Sequence, residues 1–231
     1  MPISATAGGF LLVLAIVLPV VGVLLSLTLG GRHAERIALI LMPAGLAVAV
    51  AIAVGVWGPH NVLQYFVGSW DPPLGVAFRA DGLSAAMILT AALLICGIRL
   101  FARAQFPSPE QVETRAPLVF WTLLLAVWGA LNAVFIGSDL FNLYVALELL
   151  TFAAVPLVSL DGRAETLAAA LRYLLFALFG SILYLLGAVL FYGAYGTLDI
   201  VLLSHRIHAE PVAWAAISLM TAGLLAKAAL E

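Results

Sequence analysis

The sequence predicts an all-α integral membrane protein: one bundle of about seven transmembrane helices over residues 1–231, with a small extramembrane hairpin and the N-terminus outside. Three observations predict it. Of the 231 residues, 65% are hydrophobic and only 10% are charged, whereas about 25% of a soluble domain is charged. The apolar residues come in runs as long as the roughly 20 residues that a helix needs to cross about 30 Å of hydrocarbon. The basic residues divide unevenly between alternate loops.

The runs cover 10–30, 37–57, 82–102, 117–137, 140–160, 167–193 and 211–230. No basic residue precedes the first run, and it is too long for a signal-peptide core, so it reads as a retained helix. Between the second and third runs, Asp71-Pro72-Pro73-Leu74-Gly75 separates two short extended stretches, Gln64 to Val67 and Val76 to Arg79. Turn-forming residues between β-favouring ones predict a hairpin. Arg32, Arg36, Arg103, Arg115 and Arg163 fall on one side, with Arg99 close by, and only Arg79 and Arg206 on the other. Basic residues are retained in the cytoplasm, so the chain reads as a multi-pass protein of the inner (plasma) membrane.

The net charge of −2 and the lack of a Lys/Arg cluster give no surface for nucleic acid. Cys96, the single cysteine, lies in an apolar run, where it reads as a small buried residue. No disulfide framework, metal site or cofactor site is expected. His205, His208 and Glu210 share a short polar loop and read as solvated rather than as metal ligands. Phosphate-cradling loops, zinc-protease helices and nucleophile elbows are missing, so nothing suggests an enzyme acting alone.

The chemistry lies in charges placed among apolar residues. Glu148 sits near the middle of the fifth run, where a charge costs about 2.5–3.5 kcal/mol and marks an ion path or a partnered structural group. Tyr144 and Thr151, four before and three after it, share its helical face and offer hydroxyls. Lys227, in the seventh run, either pairs with Glu148 or snorkels to the interface. Arg172, beside Tyr173 in the sixth run, stays protonated and so acts electrostatically or snorkels. Asp139 opens the fifth run as an N-terminal helix charge.

The stretch Ser138-Asp139-Leu140-Phe141-Asn142-Leu143-Tyr144-Val145-Ala146-Leu147-Glu148-Leu149-Leu150 resembles the signature fifth helix of the antiporter-like subunits of respiratory complex I, membrane-bound hydrogenases and Mrp sodium/proton antiporters. Its Asp-Leu-Phe-Asn-Leu-Tyr wording is most similar to Mrp D-type and hydrogenase members. Asp81-Gly82-Leu83-Ser84, Leu171-Arg172-Tyr173, Tyr192-Gly193 with Gly196-Thr197, and Ala226-Lys227-Ala228 add to the resemblance. The resemblance implies that Glu148 and Lys227 form the pair that switches proton loading. Arg172 stands where relatives often carry Lys.

It also implies a membrane subunit, at most non-redox, that moves H⁺ or Na⁺ in company with sister membrane subunits in the lipid bilayer. Family members continue into a second, inverted half, so the resemblance implies that this sequence corresponds to an N-terminal half, as a fragment or a split subunit. The rival expectation is a non-conducting scaffold or assembly subunit, or a non-functional truncated product.

Overall fold

A computed structural model describes residues 6–105 and 115–228. Seven helices in it are long and apolar enough to cross a membrane: α1 (Phe10–Leu29), α2 (Gly31–Gly55), α3 (Gly82–Gln105), α4 (Arg115–Ile136), α5 (Leu140–Val158), α6 (Ala164–Tyr195) and α8 (Pro211–Ala228). The multi-pass fold class read from the sequence is therefore the observed one. The last run extends past the described residues, so its end at 229–230 lies outside them.

Helix ends depart from the hydropathy runs where charge enters. α1 and α2 are separated by Gly30 alone, at φ 83, a conformation open to glycine because it has no Cβ. α2 thus begins at Gly31 rather than 37, its hydrogen bonding continuing past Glu35 and Arg36. Hydropathy marks where lipid ends, not where backbone bonding ends. A short helix, α7 (Ile200–Arg206), occupies part of what the sequence read as loop; Asp199 caps it by accepting from the Leu202 amide.

The hairpin forms as expected. β1 (Leu63–Phe66) pairs antiparallel with β2 (Ala77–Ala80), Leu63 opposite Ala80 and Phe66 opposite Ala77. It is tied into a rim at one end of the bundle. Thr6 and Gln64 exchange hydrogen bonds of 2.8 to 3.1 Å, and the Ser138 hydroxyl donates to Ala77 O at 2.7 Å. The Leu140 amide donates to Leu198 O at 3.0 Å and the Ile200 amide to Ser138 O at 2.9 Å. The starts of α5 and α7 are therefore stitched together beneath the hairpin. Asp81, just before α3, accepts from the Ser84 amide at 3.0 Å, which holds its carboxyl below the usual carboxylate range.

α1 to α4 share one apolar core around Leu12, Met42, Ile52, Trp121 and Trp128. Within it, Pro19 lies inside α1 and has no N–H to offer Ala15 O four residues back. Asn132 of α4, only 2% exposed, supplies the missing donor: its Nδ2 lies 2.7 Å from Ala15 O. Asn132→Leu is therefore expected to cost about 1–3 kcal/mol, the usual price of an unpaired buried carbonyl. In a Pro19→Ala background, residue 19 supplies the N–H and the same change should cost about 1 kcal/mol less; unfolding curves of the four variants in one detergent measure the coupling.

α6 lies between α5 and α8, and a second apolar cluster of Phe191, Leu203, Ala213 and Ala216 joins α6, α7 and α8.

Candidate functional site

The site is built on α5, α6 and α8, and small residues set its geometry. α6 and α8 cross at Gly180 and Gly223, both buried. A Cβ on Gly180 would lie 2.7 Å from Gly223 O, and one on Gly223 would lie 2.8 Å from the Tyr184 amide nitrogen. Only glycine permits backbones this close. Gly187 repeats the contact two turns along, where a Cβ would meet Ala216 O at 2.6 Å. Lys227 follows Gly223 by one turn, so the crossing lays its stem against Gly180 and carries its ammonium over α6 toward α5.

That ammonium reaches Glu148. Lys227 Nζ lies 2.7 Å from Glu148 Oε1 and 3.3 Å from Thr151 Oγ1, and both charged side chains are 12% exposed. The Ser181 hydroxyl, one residue past the Gly180 crossing, contacts the same Glu148 oxygen and also Ala177 O at 2.9 Å. Thr151 is anchored on its own helix through Leu147 O at 2.9 Å. A carboxylate, an ammonium and two hydroxyls thus converge in a mostly apolar interior, where charge-assisted hydrogen bonds are short and strong.

Of the residues read from the sequence, the structure brings together Glu148, Lys227 and Thr151. Tyr144 lies on the same helix but packs its ring on Phe141, centroids 6.0 Å apart. Asp139 is the N-cap of α5, accepting from the Phe141 and Asn142 amides at 2.8 and 3.0 Å. Arg172 is not brought into the cluster: it is exposed on the outer face of α6, its Nε donating to Ala168 O at 3.3 Å. His205 lies in the last turn of α7, and His208 and Glu210 are exposed. Among the described residues, no group of three or more His, Cys, Asp or Glu side chains is placed to hold a metal ion. Cys96 is partly buried in α3, its thiol 3.7 Å from Met42 O.

Ser181 was not found by reading the sequence. The only signal is a small polar residue next to a glycine midway along an apolar helix. Nothing in that spacing names a partner 33 positions away.

Residues 137–231 match the family model described as NADH:quinone oxidoreductase/Mrp antiporter, TM. The matched stretch contains Glu148, Thr151, Ser181 and Lys227. That stretch is therefore similar to the antiporter-like membrane subunits. Over 149 residues, 64% of its length, the chain is 35% identical to antiporter subunit mnhD2 of Staphylococcus aureus. The chain spans 29% of the length of that curated relative.

Solved structures show the same fold. A chain of the membrane-bound sulfane sulfur reductase, an archaeal respiratory membrane complex, superposes with a TM-score of 0.81 at 23% identity, over 93% of this sequence and 44% of that chain. A chain of the Mrp complex from Dietzia sp. gives 0.76 at 24% identity, over 94% and 40%. One of respiratory complex I from Thermus thermophilus gives 0.67 at 24% identity, over 93% and 43%. All three solved chains belong to membrane complexes.

Proposed function

We propose that this chain provides a proton-loading site of a cation/proton antiporter or of a redox-driven proton pump, with Glu148 and Lys227 as the exchanging pair. The observation that carries the reading is the 2.7 Å ion pair between them. It lies inside an apolar bundle and within the stretch that matches the antiporter family. An intramembrane carboxylate and amine are costly, and this cost is the reason such pairs mark ion paths. When a neighbouring charge draws Lys227 away, Glu148 loses its counter-ion and takes up a proton; when Lys227 returns, the proton is released. Ser181 and Thr151 hold the two partners in register and offer hydroxyls through which a proton passes. Arg172, always charged, serves as a fixed positive charge on α6 and not as a carrier.

In this reading the transported ion is H⁺ or Na⁺, exchanged through sister membrane subunits in the plasma membrane. The N-terminus and the hairpin face outward, opposite the end that gathers most of the arginines. Glu148→Gln tests it in the assembled complex. The substitution keeps shape and hydrogen bonding but removes the charge, so ion-driven pH or Na⁺ gradients in vesicles should collapse while the complex assembles in normal amount. Undiminished transport with normal assembly would sink the reading and leave a packing scaffold in its place.

A further inference from the structure

α6 is 32 residues long, about 48 Å at 1.5 Å per residue, and so exceeds a hydrocarbon layer of about 30 Å. Its exposed face shows where that layer lies. From Arg172 to Tyr192 the exposed residues between the two are Leu175, Phe176, Phe179, Ile182, Leu186 and Val189, all apolar. Twenty residues separate Arg172 from Tyr192, about 30 Å along the axis. Tyrosine and arginine are the residues that sit at the two edges of a bilayer, so Arg172 stands at the hydrocarbon boundary.

Its side chain turns back toward the start of the helix, as the bond from Nε to Ala168 O requires. On that side Ala168 and Ala169 are exposed and small, and exposed Glu165 lies on the same face seven residues before Arg172. On the other side of the guanidinium, Arg172, Leu175, Phe176 and Phe179 line an apolar groove of about 420 Å³. A cation, a shelf of two alanine methyls and an anion thus follow one another above a greasy groove.

We propose that this face binds one ethanolamine phospholipid, its phosphate on Arg172, its ammonium beside Glu165 and one acyl chain in the Leu175–Phe176–Phe179 groove. Charge order selects the headgroup. Arg172 pairs with phosphate through its planar fork, while Glu165 attracts an amine and repels a headgroup with no positive charge. The proposal rests on the membrane placement of α6 and is independent of ion transport through Glu148.

Native mass spectrometry of the full chain in detergent, with equimolar phosphatidylethanolamine and phosphatidylglycerol, tests it. One phosphatidylethanolamine per chain should be retained in preference. Arg172→Gln should lower retention about tenfold, as expected for the loss of one charge-assisted contact. Phe176→Ala, which leaves every charge in place, should lower it too, and Glu165→Gln should abolish the preference. A circular-dichroism spectrum checks that each variant is folded. Equal retention of both lipids by the unaltered chain, or retention by folded Arg172→Gln equal to that of the unaltered chain, overturns the proposal; the latter would leave the face to a partner subunit.

Discussion

Gly223→Ala is expected to force α8 away from α6 and to pull Lys227 off Glu148. The added Cβ would meet Gly180 O and would lie 2.8 Å from the Tyr184 amide nitrogen. Both obstacles are backbone, so no side-chain rotation relieves them. Overpacking of this kind costs about 1–3 kcal/mol, and here the loss is compounded because the ion pair sits one turn from the point of contact. Gly193→Ala is the matched control on α6: apart from the adjoining residues and backbone of its own helix, nothing lies within 4 Å of its added Cβ. Alanine there should be neutral or stabilising by about 0.5–1 kcal/mol through helix propensity and a less flexible unfolded chain. Thermal unfolding in detergent should separate the two variants clearly, and ion transport by the assembled complex should fall with the first and not with the second.

Lys227→Met should destabilise the chain more than any exposed substitution, by about 3–5 kcal/mol, because it leaves the Glu148 carboxylate buried without its cation. Ser181 and its hydroxyl remain, but a neutral donor does not replace an ammonium. Adding Glu148→Gln to Lys227→Met removes the stranded charge and should recover most of the loss. Chemical unfolding of the two single variants and the double variant gives the coupling energy of the pair. Additive losses would mean that the two side chains do not meet in the folded protein. The expected pattern is a deep minimum for Lys227→Met alone, a shallower one for Glu148→Gln alone, and a double variant close to the latter.

The seven crossings were legible because membrane solvation acts on every residue of a span. Twenty apolar residues in succession have no other stable environment, and this holds whatever neighbours they find. Helix ends were less legible. α2 runs back through Glu35 and Arg36 to Gly31, since a helix continues into the headgroup region as long as its backbone bonds are made. α7 was hidden because seven residues carry too little hydrophobic pattern to announce a helix; its cap, Asp199, is positioned by the pairing of residues 138–140 with 198–200.

Half of the site was written in the sequence and half was not. Glu148 declares itself because a carboxylate amid leucines demands an explanation from local context alone. The placement of Thr151 three residues later on the same helix follows from helical periodicity. For Lys227 the sequence left two fates open, pairing or snorkelling, since both satisfy the same ammonium at the same depth. The choice was made by Gly180 and Gly223, whose missing side chains let α8 approach α6 closely enough for the lysine to reach α5. Ser181 enters by that same crossing, and Arg172 leaves the site because its position on α6 points away from α5.

By itself the sequence determined the solvent, the number of crossings and the presence of an expensive buried charge, because each is a property of one helix and its surroundings. The tertiary structure decided which groups answer that charge: the answer depends on the distance between helices, which residues far apart in the chain set jointly.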